Sequence, residues 1–282
     1  VSPARTALLT LLAMLAFAGN SLLCRAALKH TAIDATSFTS VRLISGALAL
    51  WLLLRWRDAA ARSGGSWGSA AALFAYAALL SYAYIGLDTG VGALLLFGAV
   101  QTTMIGTALR RGERLHIQQT LGLLLAVAGL IGLVLPGLTR PPLGHAALML
   151  ASGAAWGVYS LRARGTGDPT LATAGNFLRT VPMAVLLSSV MFRQVQFDPT
   201  GALYATVSGA ITSGLGYALW YAALPGLRTT SAATVQLSVP VLASIGGIVL
   251  LGEALTPRLL LTSIAILGGI ALVIRPRAKA AA

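Results

Sequence analysis

Ten apolar stretches, each about 20 residues long and parted by short gaps, constrain this chain more than any other feature. A helix of that length spans the hydrocarbon of a bilayer, and a backbone in lipid must satisfy its own polar groups, so each stretch is predicted to be a transmembrane helix. The spans are expected at 4–28, 36–56, 68–87, 91–109, 117–136, 144–162, 170–192, 199–224, 229–251 and 258–275. Asp88-Thr89-Gly90 divides the third from the fourth, because together they exceed one span. Ser63-Gly64-Gly65-Ser66, Pro141-Pro142, Asp198-Pro199 and Pro225-Gly226 mark other reversals. With 57% hydrophobic and 10% charged residues and a mean hydropathy of +0.83, little chain remains for a soluble domain. The fold class expected is all-α integral membrane.

A net charge of +13 would suit a nucleic-acid binder, but such proteins cluster their basic residues on one exposed face. Here all the Lys and Arg but Arg25, Arg42 and Arg179 fall in the gaps between spans, and they fall unevenly. If the N-terminus is inside, thirteen lie on the cytoplasmic side, against four (Lys29, Arg140, Arg193, Arg258) on the other. The positive-inside rule then puts both termini in the cytoplasm, and no nucleic-acid partner is expected. The first stretch is long enough to span and has no convincing cleavage site after it, so it is read as a span and not as a signal peptide. The single cysteine, Cys24, lies inside that span and forms no intrachain disulfide.

The chain also repeats itself. Gly112-Glu113-Arg114-Leu115 is answered 140 residues later by Gly252-Glu253-Ala254-Leu255, Arg42 by Arg179 at 137, and Gly19 by Gly157 at 138. Tyr82-Ala83 answers Tyr221-Ala222. Five spans per repeat is an odd number, so the second half must enter the membrane from the opposite side. The expected organisation is a first five-helix repeat at 1–139 and an inverted second at 140–282. Inverted repeats are the mark of alternating-access transporters, with the substrate held between the halves.

On these residues, the two five-span halves, the Gly-Glu-x-Leu element closing the fourth and ninth helices and Pro240 within the ninth, the chain resembles the drug/metabolite transporter superfamily in its ten-helix EamA-type branch. Within that branch it is most similar to bacterial aromatic amino acid exporters. The position answering Pro240 in the fourth helix is Val100, so a kink there is not symmetric. The resemblance implies a bacterial inner-membrane location and a central cavity lined by helices 1, 3, 4, 6, 8 and 9, with helices 5 and 10 set apart. It also implies export of amino acids, aromatic or broadly chosen. The alternative within the same fold is export of drugs, lipophilic cations or other small metabolites.

Chemistry can be placed on few residues. All seven acidic residues fall in loops or at helix ends, and a carboxylate inside the membrane is the usual carrier of a coupling ion, so facilitated movement is expected. Asn20 and Ser21 sit mid-span in helix 1, while Trp156, Tyr159 and Ser160 share a face of helix 6. Tyr217, Trp220 and Tyr221 repeat that spacing in helix 8, with Tyr82 as the counterpart of Tyr221. Gln101 and Gln236 put amides inside helices 4 and 9, where an unpaired amide is costly. These residues are expected to bind substrate, although Trp and Tyr near span ends also serve as an interfacial belt.

Arg42 and Arg179, roughly 9–14 Å into their spans, have the donors to hold a carboxylate or the stems to snorkel outward. They are read, with Pro240, Glu113 and Glu253, as gating or structural residues. The two glutamates would hydrogen-bond the amides of the helix that follows each. Pro240 would remove a hydrogen bond inside its span. An enzyme is excluded on inventory. His30, His116 and His145 lie at span edges with no metal-ligand spacing, no nucleophile elbow or phosphate loop is present, and no metal or cofactor is expected.

Overall fold

The computed structural model describes residues 3–56, 64–110, 112, 116–135, 141–163, 168–227 and 235–274. Among these residues every regular element is helical. The first seven helices are α1 (Pro3–His30), α2 (Ala35–Trp56), α3 (Trp67–Tyr84), α4 (Thr89–Arg110), α5 (Ile117–Val134), α6 (Leu143–Arg162) and α7 (Pro169–Val190). The eighth span runs through α8 (Pro199–Val207), a π-helical segment (Ser208–Leu215) and α9 (Gly216–Ala223). α10 (Ser238–Leu251) and α11 (Pro257–Ile274) complete the bundle. The face on which α1 begins is called terminal here, and the other distal.

Local chemistry sets the ends. Ser66 caps α3 by accepting from the amide of Ser69 at 3.2 Å. Asp168 caps α7 from Thr170 and Leu171, and Asp198 caps α8 from Gly201 at 2.7 Å, each with proline at the first helical position. Gly252 ends α10 at φ 64°, a left-handed conformation that costs glycine little. Two expectations change at this level. Pro240 stands in the first turn of α10, after a turn at Gln236–Leu237. Its missing N–H is therefore one that would have no partner within α10, and the interruption lies at the start of that helix instead of in its middle. The π-helical segment was not foreseen, since its sequence is as apolar and small as its neighbours.

Packing separates two regions. α5 and α11 lie against each other, with Gly122 and Gly269 so close that a Cβ on either would meet the other's carbonyl. The other spans surround α1 and α6. α3 and α4 pack on α6, α9 and α10 pack on α1, and α2 packs on α7 and on the π-helical segment. Gly153 lets α6 approach the Leu96 carbonyl of α4, and Gly209 lets the π-helical segment approach the Arg42 carbonyl of α2. The outward faces carry exposed Leu11 and Leu15 on α1, Leu124 on α5, Leu186 on α7 and Val249 on α10. A surface this apolar suits lipid. Among the described residues, α1, α2, α4, α5 and α7 are each long and apolar enough to cross a membrane. α3 and α6 fall short of that measure because they carry several Ser, Gly and Tyr residues among their apolar ones.

Candidate functional site

Polar side chains in an apolar bundle cost free energy unless paired, so where they gather is informative. They gather midway through the bundle. Asn20 of α1 donates to the Tyr76 hydroxyl of α3 at 3.0 Å. The Asn20 Oδ1 accepts from Ser208 at 2.7 Å and from Thr212 at 3.5 Å, both on the π-helical segment. Arg42 of α2 donates through Nη2 to the same Tyr76 hydroxyl and through Nε to Ser213, each at 3.3 Å. Its guanidinium carbon also lies 5.2 Å from the centre of the Tyr76 ring. The wider turn of a π-helix is what lets Ser208, Thr212 and Ser213 of one segment serve both Asn20 and Arg42.

Beside this network is a cavity of about 30 Å³, lined by Phe17, Asn20, Ser21, Tyr76, Leu96, Phe97, Trp156, Thr212, Tyr217 and Gln236. Its lining comes from the first, third, fourth, sixth, eighth and ninth spans, the six that the resemblance implied. Aromatic rings wall it. Trp156 is 4.8 Å from Tyr76 and 5.1 Å from Tyr217, and Phe17 is 5.8 Å from Tyr217. Ligand pockets run to roughly 300 Å³ and more, so this centre is too small, as it stands, to hold a drug-sized molecule.

Each face carries its own chamber. Towards the terminal face, 120 Å³ is enclosed by residues that include Ser69, Tyr159, Arg162, Thr173, Asn176 and Tyr221. Trp156 and Tyr159, 5.3 Å apart, stand between this chamber and the centre. Towards the distal face, 280 Å³ is bounded by residues that include Asp88, Gly90, Pro142, Ser244 and Glu253. Here Glu253 is buried and accepts from the Thr89 amide at 2.8 and 2.9 Å and from the Thr89 hydroxyl at 3.0 Å. Arg25 lies 3.5 Å from the same carboxylate and 3.1 Å from Asp88, and donates to the Tyr84 and Ile85 carbonyls. Glu253 therefore caps α4, across the bundle, and not the helix that follows it in sequence. Glu113 lies outside the described residues.

The expected substrate residues are thus not all brought together. Asn20, Ser21, Trp156, Tyr217 and Gln236 meet at the central cavity. Tyr159 and Tyr221 line the terminal chamber, and Trp220 is buried against Phe17 with rings 6.2 Å apart. Tyr82 stands apart, its hydroxyl 2.7 Å from Thr36. Six residues from Tyr76, it points about 120° away around α3. Gln101 and Ser160 do not border the cavity, because each sits a helical turn, about 6 Å, nearer the terminal face than Phe97 or Trp156.

Arg179 snorkels, donating to the Gly64 and Gly175 carbonyls at 2.6 and 2.8 Å. Arg42, which the sequence sets against it at an offset of 137, does not: it is 1% exposed and turned inward. Tyr76, Ser208, Thr212 and Ser213 were missed. A tyrosine deep in an Ala-rich span, and hydroxyls at i and i+4 in a Gly-rich one, were the available signals.

Comparison with known proteins follows this geometry. Residues 144–275 match the EamA-like transporter family. Over 279 residues the chain is 60% identical to Uncharacterized protein PA1977 of Pseudomonas aeruginosa, covering 99% of this chain and 97% of that one. It is 32% identical over 166 residues to Threonine/homoserine exporter RhtA of Escherichia coli, 55% of each chain. To a Probable amino-acid metabolite efflux pump of Salmonella typhimurium it is 26% identical over 200 residues, 66% of this chain and 67% of that one. A solved crystal structure superposes with a TM-score of 0.66 over 96% of this chain and 98% of its own, at 19% identity, which establishes the shared fold.

Proposed function

Because the chain belongs to the EamA-like transporter family, as a multi-pass membrane transporter and not an enzyme, we propose that it exports amino acids, aromatic or broadly chosen, by alternating access. The observation that carries this reading is the central cavity. It joins aromatic walls fit for an apolar side chain to amides and hydroxyls fit for a zwitterion, midway between a chamber on each face. Two of the similar proteins are named for efflux of amino acids or their metabolites, which agrees with it.

The halves at 1–139 and 140–282 act as the two moving bodies. The matched packing of α3 and α4 on α6, and of α9 and α10 on α1, supports the repeat itself, with the first helix of each half seated against the other half. The basic gaps support an orientation in a bacterial inner membrane with both termini in the cytoplasm, the distal face outward. Transport is facilitated. Among the described residues the acids stand at helix ends and connections: Asp34, Asp168 and Asp198 beside helix starts, and Asp88 and Glu253 on the distal face. None borders the central cavity.

The test is flux into proteoliposomes of purified protein with labelled tryptophan, phenylalanine, threonine and a lipophilic cation, with and without a pH gradient. Amino acid flux that ignores the gradient is expected. Gradient-driven cation flux with no amino acid flux would overturn the proposal.

A further inference from the structure

Among the described residues, the centre of the bundle holds a positive charge with no negative one to answer it. Arg42 is 1% exposed, and its Nη1 has no hydrogen-bond partner among the described residues. Its other contacts, the Tyr76 and Ser213 hydroxyls and the Tyr76 ring, are neutral. The described carboxylates lie elsewhere: Glu253 and Asp88 are held by Arg25 and Thr89, and Asp34, Asp168 and Asp198 cap helices. A charge left so in low dielectric is costly, which makes the place favourable for an anion.

The Tyr76 oxygen already accepts from both Asn20 and Arg42. A hydroxyl has two acceptor sites and one proton, so the proton of Tyr76 is left to donate, and Tyr76 borders the cavity. Donation from a hydroxyl that an arginine polarises is strengthened towards an anionic acceptor.

We infer that the central cavity selects substrates bearing a carboxylate, which Tyr76 receives as hydrogen-bond donor and Arg42 stabilises from behind it. Arg42 is then a positioning and specificity residue, a role that Arg179, spent on backbone carbonyls, does not share. The inference rests on the export reading for its substrates and deepens it. It sets the cavity against lipophilic cations.

The experiment compares proteoliposome flux of phenylalanine and threonine with flux of their carboxamides, in the wild type, Arg42→Gln and Arg42→Lys. In parallel, the melting temperature of the detergent-solubilised wild type is measured with benzoate and propionate and with benzamide and propionamide. Wild-type protein is expected to carry the acids about tenfold or more faster than the amides, the worth of one charge-assisted hydrogen bond. Arg42→Gln should bring that ratio near one, and Arg42→Lys should restore part of it. A merely structural arginine would lower both fluxes and leave the ratio unchanged, which would overturn the inference. So would equal wild-type flux of acid and amide, which leaves the export reading standing. Stabilisation by the carboxylates alone, without amino acid flux, would keep the inference and remove the export reading. Neither flux nor stabilisation would remove both.

Discussion

Single side chains in this protein take their meaning from what surrounds them, and Asp34 is a case outside the membrane. It accepts from the amides of Thr36 at 2.8 Å, Ser37 at 3.1 Å and Gln196 at 2.7 Å and from the Ser37 hydroxyl, joining the start of α2 to the connection before α8. Partial burial pushes its carboxyl up, and the bonds from Ser37, Gln196 and Thr36 pull it further down, so it titrates below its ordinary value. A carboxyl lowered by folding contributes stability above its unfolded pKa of about 4 and loses it as pH falls through the folded value. Melting temperatures of wild type and Asp34→Asn should therefore differ in full at pH 6 and converge below about pH 4. A constant gap from pH 6 to pH 3 would mean that the carboxylate form is not what the bonds recognise. The same lesson applies to Arg42 and Arg179. They answer each other in the sequence, 137 residues apart, yet one is enclosed beside Tyr76 and the other reaches the backbone of Gly64.

At the scale of elements, the π-helical segment decides the site. Its Ser208, Thr212 and Ser213 serve Asn20 and Arg42 only because Gly209 admits the Arg42 carbonyl and the Ser45 hydroxyl where a Cβ would stand. Gly209→Ala should push the segment off α2, cost about 1–3 kcal/mol by overpacking and lower transport. Gly268→Ala on α11, where a Cβ meets nothing within 4 Å, should be neutral or slightly stabilising. Denaturant melts with flux assays on both variants check this, and an unaffected Gly209→Ala would refute the packing argument.

For the whole molecule, the distal cluster fastens three parts of the bundle. Glu253, from the connection between α10 and α11, caps α4 through Thr89 and faces Arg25 of α1. If opening of the distal face requires these contacts to part, Glu253→Gln should favour opening, because the amide carries no charge for Arg25 and has one acceptor oxygen in place of two. In a Cys24→Ser, Ser21→Cys background, an impermeant maleimide applied from the distal side should then label the cavity about tenfold faster, since about 1.4 kcal/mol suffices for that. Unchanged labelling would mean that the distal closure does not depend on these contacts.

Hydrophobic length and gap chemistry determined the ten spans from sequence. Apolar runs matched to a bilayer, ended by Ser66, Asp168-Pro169, Asp198-Pro199 and Gly252, need no tertiary knowledge to be read, because each signal acts within a few residues of itself. Several site residues were legible for a related reason, as Asn20, Trp156 and Tyr217 are polar or aromatic where lipid would not choose them. What only the packed bundle decided was pairing across large sequence distance. Tyr76 joins Asn20 and Arg42, Ser208 finds Asn20, and Glu253 caps a helix 164 residues away. No local pattern records such pairs, because the free energy that selects them arises when a buried polar group meets whichever partner the fold brings within reach.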